Sequence, residues 1–250
     1  MINVLISGAA GRMGHFVADC VAARDDMRVI AGVDAVKGDL KFPVYPDFSS
    51  LTVKPDVIID FSNISVLDGL LEYATKNSIP TVIATTGYDD KQIDKIRVAA
   101  EKIPVFFSFN MSLGINLLCS LAKQAAALLG GDYDIEIVEK HHNKKLDAPS
   151  GTAIMLANAV NGQFGDTYQY EYDRHSKRMA RPKNEIGIHS IRGGTIVGEH
   201  DVIFAGRDEV ITLSHHAASR EVFATGAVKA AAYICGKPAG IYDMSNVVGL

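Results

Sequence analysis

The stretch Val4-Leu5-Ile6-Ser7-Gly8-Ala9-Ala10-Gly11-Arg12-Met13-Gly14 decides the fold. A short apolar run ends in three glycines spaced G-x-x-G-x-x-G, and helical periodicity follows. Glycines let the backbone turn tightly, approach a pyrophosphate and pack a helix against a strand, while the helix N-terminus favours phosphate charge. The spacing departs from G-x-G-x-x-G, and flavin and methyl-donor folds use glycine turns at the same place. Glycines serving packing alone are a further reading. Position favours a dinucleotide: the turn follows the first strand, and Asp34, about twenty residues on, closes the second, where a carboxylate accepts ribose hydroxyls.

Outward from this turn, strands are expected at 3–7, 29–33, 57–61, 81–85 and 105–107, with helices at 12–24, 66–76 and 91–102. Strands apolar on both faces and separated by helices indicate a parallel sheet covered on each side. Residues 34–55 hold Pro43, Pro46 and Pro55 and read as irregular, with one short strand near Val44. After Asn110 the character changes. A helix over 113–129 stops at Gly130-Gly131, a strand covers 134–139, and a second helix covers 152–160. Strands at 186–192, 195–205 and 210–215 are separated by Gly193-Gly194 and Arg207-Asp208, as in an antiparallel or mixed sheet. A helix at 220–235 leads into an apolar tail that packs back on the first domain.

The bulk properties exclude several classes. With 48% hydrophobic residues the chain is not disordered, and a net charge of −4 lacks the Lys/Arg excess of a nucleic-acid binder. Cys20, Cys119 and Cys235 form no C-x-x-C pair and read as buried reduced thiols. Residues 1–8 read as a strand rather than a signal peptide. The most apolar stretch, 113–129, is broken by Asn116, Lys123 and Gln124 and reads as amphipathic rather than membrane-spanning. A cytoplasmic protein is expected.

The chemistry concentrates in Glu139-Lys140-His141-His142-Asn143-Lys144-Lys145-Leu146-Asp147-Ala148-Pro149-Ser150-Gly151-Thr152-Ala153. Imidazoles and ammonium groups crowd ahead of a helix that Ser150 caps, so an anion such as a carboxylate suits the site. Histidine, and a lysine beside other cations, can exchange protons near neutral pH. A solvated polar loop is the plain alternative. A metal site using His189, His200, His215 and His216 is another, but no H-E-x-x-H or zinc-type Cys/His spacing is present, so no metal is expected.

The pattern E-x-H-H-x-x-K-x-D-x-P-S-G-T-A resembles the dihydrodipicolinate reductase (4-hydroxy-tetrahydrodipicolinate reductase) family. The resemblance runs the length of the chain, through the glycine turn, Ala84-Thr85-Thr86-Gly87, Phe109-Asn110-Met111-Ser112-Leu113-Gly114 and Ile191-Arg192-Gly193-Gly194-Thr195-Ile196-Val197-Gly198-Glu199-His200. Ala84 stands where many relatives have Gly, and Phe109 where a smaller residue is common. The resemblance implies an α/β chain: a Rossmann-like dinucleotide-binding domain (1–109 and 218–250), and an α+β domain with a mixed, largely antiparallel sheet (110–217) that builds a homotetramer. It further implies reduction of a cyclic unsaturated dicarboxylate by NADPH or NADH in lysine and diaminopimelate biosynthesis.

Residue by residue, the resemblance places Gly8, Ala9, Ala10, Gly11, Arg12 and Met13 at the pyrophosphate and Asp34 at the adenosine ribose. Ala84, Thr85, Thr86, Ser108, Phe109, Asn110 and Met111 would lie along the nicotinamide half. His141 matches a proton donor or acceptor and Lys145 a proton donor, while His142, Gly151 and Thr152 match substrate-binding positions. Two rivals remain: another two-domain NAD(P)-dependent oxidoreductase acting on a small carboxylate, and a dinucleotide-sensing protein without turnover. The first gives no reason for His141-His142-x-x-Lys145 ahead of Ser150-Gly151-Thr152, and the second needs no proton-transfer groups. On cofactor choice, Asp34 favours a free 2′-hydroxyl and Ala35 replaces the Arg of many NADPH-using relatives, while Lys37 can reach a 2′-phosphate as a point charge. Dual use is expected.

Overall fold

In the computed structural model, which describes residues 1–249, every residue of the first strand from Val4 to Ser7 is buried. The chain runs β1 (Ile2–Ser7), α1 (Arg12–Ala22), β2 (Met27–Val33), β3 (Val44–Tyr45), β4 (Val57–Asp60), α2 (Leu67–Asn77), β5 (Thr81–Ile83), α3 (Asp90–Ala100) and β6 (Pro104–Phe107). It continues through α4 (Leu113–Leu129), β7 (Asp134–His141), α5 (Gly151–Asn161), β8 (Gln169–Glu171), β9 (Glu185–Arg192), β10 (Gly198–Ala205) and β11 (Val210–Ala217). Finally come α6 (Glu221–Ile234), β12 (Gly240–Tyr242) and α7 (Met244–Val248). Contacts divide the described chain into two units, Met1–Leu113 with Arg220–Gly249, and Gly114–Ser219.

The first unit is a parallel sheet of seven strands in the order β12-β6-β5-β4-β1-β2-β3. All four residues of β4 and all three of β5 are buried, as central strands covered on both faces must be. One cover is α1, α6 and α7, with Val17, Val21, Ala227, Ala231 and Met244 in its core. The other is α2 and α3, with Leu67, Leu70, Leu71, Ile96 and Ala100. Small residues let α6 lie close: the Met111 carbonyl occupies the space that a Cβ on Gly226 would need. The chain leaves β1 toward β2 on one side and resumes with β4 on the other. This reversal makes the crevice above β1 and β4 the switch point where such sheets bind ligands.

The second unit is a five-stranded sheet in the order β11-β10-β7-β9-β8, with α4 and α5 packed on one face around Leu118, Ala122, Leu156 and Val160. It is mixed. β10 pairs antiparallel with β7 and β11, whereas β9 pairs parallel with β7 and β8. Gly193-Gly194 therefore does not close a hairpin; β9 and β10 flank β7, and the connection passes the end of β7 before β10 begins at Gly198. β8 has no counterpart among the expected strands.

One sequence expectation changes. The three cysteines are free but half-buried rather than buried. The helix over 113–129, with its continuation to Asp132, is by length and composition also apolar enough to cross a membrane. Here one side of it, Ile115, Leu118, Ala122 and Ala126, is buried, and Leu117, Leu121 and Leu128 are exposed.

Candidate active site

Every cofactor residue expected from the sequence lies in the first unit, at or just beyond the carboxyl end of β1, β2, β5 or β6. Gly8 has φ +78°, and a Cβ there would strike the Phe61 carbonyl and lie 2.9 Å from the Ser62 Cα. A Cβ on Gly14 would strike the carbonyls of Gly8 and Ala9, so this glycine lets α1 start against the turn. Gly11 is the N-cap residue of α1, and no side chain caps the helix there. Its first amides are among those a helix leaves without helical partners, which suits a pyrophosphate.

Two cavities adjoin this turn. One, of about 700 Å³, is lined by Gly8, Gly11, Asp34, Ala35, Asp47 and Glu72 among others. The other, of about 410 Å³, is lined by Met13, Ala84, Thr85 and Thr86. Both share Phe61, Ser62 and Asn63 as a wall. Asp34 does more than face the first cavity: its carboxylate accepts the amides of Ala10 and Val36, each at 3.0 Å, and so pins the glycine turn. Ionised carboxylates offer about four acceptor positions, so hydroxyls can still bind. Below the second cavity, buried Asp60 accepts Thr85 Oγ1 at 2.6 Å and Ser62 Oγ at 2.5 Å. Burial raises its pKa against these hydrogen bonds. Ser108 to Met111 line neither cavity. They form a turn closed by Ser108 Oγ on the Asn110 carbonyl (2.9 Å) and by Asn110 Oδ1 accepting the Ser112 amide (2.8 Å), with Phe109 exposed.

In the second unit, strand alternation sorts the mid-chain residues. Ile135, Ile137, Glu139 and His141 share the buried side of β7, whereas Lys140 lies on the opposite side, paired with Glu199 (2.9 Å) and Asp201 (3.4 Å). The expected cation cluster thus loses one member. Glu139, fully buried, takes its place as the centre. It accepts Arg192 Nη2 at 2.7 Å and Nη1 at 2.8 Å, meets His141 Nδ1 at 2.5 Å and accepts the Ser150 amide at 3.1 Å. Burial alone would raise its pKa, but Arg192 and His141 outweigh that and hold it at about 2. Burial lowers that of His141, with Glu139 opposing.

Ser150 caps α5 by accepting the Ala153 amide at 3.1 Å, and its Oγ also lies 3.0 Å from His200 Nε2. The rings of His141 and His200 meet edge to face at 5.2 Å. Gly151 opens α5 with free space where a Cβ would be, and Thr152 follows. Lys145 pairs with Asp147 at 2.8 Å, and Arg192 donates to the Asp147 carbonyl at 2.7 Å. The Gly193-Gly194 loop folds over the same segment: the His141 carbonyl accepts the Gly193 amide (2.9 Å), and the Gly194 carbonyl accepts the Asn143 amide (3.2 Å). His142 is half-buried at the start of that segment. Of the other candidate histidines, His215 is paired with His200 across β10 and β11, whereas His189 sits on Glu136 and His216 on Glu199. Neither Glu139 nor Arg192 has a role that the sequence alone reveals. An acidic residue two positions before His141 was the available sign, since it shares a strand face with it.

Family models for the N-terminus and C-terminus of dihydrodipicolinate reductase match residues 2–111 and 114–248. The chain belongs to the dihydrodipicolinate reductase family. Membership makes it an NAD(P)H-dependent oxidoreductase. Among relatives, the 4-hydroxy-tetrahydrodipicolinate reductase of Caldanaerobacter subterraneus subsp. tengcongensis is 51% identical over 99% of this chain and 98% of its own. That of Clostridium novyi is 47% identical over 99% and 98%. A solved member of the family, the dipicolinate-bound dihydrodipicolinate reductase from Paenisporosarcina sp. TG-14, superposes with a TM-score of 0.81 at 27% identity, covering 97% of each chain.

Proposed function

We propose that the chain reduces 4-hydroxy-tetrahydrodipicolinate to tetrahydrodipicolinate, with release of water, in the diaminopimelate route to lysine. The arrangement that carries this reading is the buried Glu139 holding His141 and the Ser150 cap of α5, on the segment that also bears Lys145. Dicarboxylate recognition falls to the α5 N-terminus: the Gly151 and Thr152 amides and the Ser150 cap suit one carboxylate, with His142 assisting. Reduction of a conjugated imine leaves negative charge beside the carbon that receives hydride, and a nearby acid must quench it. Lys145 is assigned that proton delivery, and His141 the proton exchange that accompanies loss of water.

A reduced nicotinamide dinucleotide supplies the hydride when bound. Gly8 to Met13 would hold its pyrophosphate and Asp34 its adenosine ribose, with Ala84 to Thr86 and Ser108 to Met111 along the nicotinamide half. The glycine turn fits such a group, since added Cβ atoms at Gly8 and Gly14 would strike backbone. Asp34, Asp47 and Glu72 line the larger cavity against one cation, Lys76. That balance favours the free 2′-hydroxyl of NADH, while Lys37 on the loop after Asp34 leaves NADPH usable.

The test is oxidation of NADH or NADPH, followed by absorbance, with the dihydrodipicolinate synthase product as substrate. Turnover that depends on that product supports the reading. Oxidation no faster than without it refutes the reading.

A further inference from the structure

Glu139 stands on the same strand face as His141, two residues away, at the end of an otherwise apolar row. A carboxylate in that place would be costly to bury unless every lone pair were used, and here they are. Arg192 grips both oxygens, the Ser150 amide takes one and His141 Nδ1 the other. Arg192, on the adjacent strand β9, also reaches the Asp147 carbonyl, so one guanidinium fixes the carboxylate and the Lys145 segment together.

The other ring nitrogen of His141 meets a different surface. A Cβ on Gly198 would come within 3.1 Å of Nε2, so glycine there leaves the nitrogen room that any side chain would take. The charged or titratable groups around the ring are Glu139, Lys145, Arg192 and His200. Of these, Glu139 alone can accept a hydrogen from Nδ1.

We propose that Glu139, clamped by Arg192, is a positioning residue that fixes His141 as the Nδ1–H tautomer and presents a bare Nε2 for proton exchange. Through the Ser150 amide the same carboxylate sets the start of α5 relative to that ring, so proton exchange and carboxylate recognition share one anchor. The proposal rests on the reading of His141 as a proton-transfer group.

The test compares wild type and Glu139→Gln by long-range 15N NMR of the histidine rings, steady-state turnover and cofactor titration. Wild type should show one His141 tautomer, protonated at Nδ1. In Glu139→Gln, whose amide can also donate, the tautomers should mix or invert, and kcat should fall about 100-fold with cofactor Kd unchanged. An unchanged tautomer, or a changed tautomer with wild-type turnover, overturns the proposal. If wild type itself fails to turn over, the function falls, and the tautomer comparison still decides whether Glu139 sets the ring. Glu139→Gln leaves Arg192 without its counter-charge. Should it fail to fold, Glu139→Gln/Arg192→Gln removes both charges and carries the same expectations.

Discussion

Ser150 Oγ and His200 Nε2 lie 3.0 Å apart in the buried floor beneath the α5 N-terminus, while His200 Nδ1 has no hydrogen-bond partner among the described residues. Protonating His200 would bury a second N–H with nothing to receive it. Burial, with His141 nearby, accordingly drives its pKa down to about 3. Between roughly pH 6.5 and 3 the unfolded chain therefore binds a proton that the native chain refuses, and stability falls as the medium is acidified. Glu139 acts in the same direction lower down: its contribution is complete above about pH 4.5 and is lost as pH falls toward 2. Urea midpoints at pH 7 and pH 4.5 should differ by stability on the order of a few kcal/mol. His200→Asn should flatten that slope, and an unchanged slope would show that the strain lies elsewhere.

Replacing the proton-transfer groups separates chemistry from binding. His141→Ala and Lys145→Ala should each lower kcat by about 10²–10⁴-fold and leave cofactor affinity nearly intact, because both sit in the second unit and the glycine turn in the first. Stopped-flow turnover beside fluorescence titration of NADH checks both halves. Wild-type turnover in the two variants would remove these residues from the mechanism.

Cofactor choice follows from the charges that line the larger cavity. NADH should serve at least as well as NADPH, and Lys37→Ala should weaken NADPH selectively, within the tenfold range of one exposed charge contact. Paired kcat/KM measurements at two ionic strengths decide it. A strong NADPH preference that survives the substitution contradicts this reading.

Gly14 tests the glycine turn itself. Its added Cβ would press on the Gly8 and Ala9 carbonyls, so Gly14→Ala should destabilise the fold by about 1–3 kcal/mol and weaken both nicotinamide cofactors together. Gly87, where a Cβ meets nothing within 4 Å but φ is +93°, offers a comparison with strain and no collision. Similar midpoints for the two alanine variants would argue against steric closure of the turn.

The edge of the second sheet suggests assembly. The helices α4 and α5 pack around one core, against which Ile211 and Leu213 lie, while the edge strand β11 exposes Val210. Soluble proteins cover or pair such edges. A homotetramer built by this unit is the expected state. Light scattering at micromolar concentration should give four times the chain mass, and a monomer mass would refute it.

Much of this was legible in the chain because periodicity reports burial. The apolar β4 and β5 read as strands covered on both faces, and Gly130-Gly131 ends α4 where the sequence said it would. Pairing was not legible. Gly193-Gly194 marks where β9 ends, but β10 begins at Gly198 rather than 195, and nothing local says that β7 inserts between them. The centre of the site was hidden for a similar reason. Arg192 and Glu139 are 53 positions apart, and only the parallel register of β7 and β9 brings them together. The sequence offers Asp34 as a carboxylate for ribose hydroxyls, yet its grip on the Ala10 amide depends on how the second strand returns to the first turn.

The order of elements also has a consequence for how the protein is made. The helix α6, which covers one face of the first sheet, and β12, which extends its edge, are both encoded after residues 114–219. During synthesis that face thus carries α1 alone while the whole intervening unit emerges, several seconds at roughly 5–20 residues per second. Nascent chains of this architecture pass through a stage in which a dinucleotide crevice precedes part of its own backing, the interval in which chaperone holding matters most.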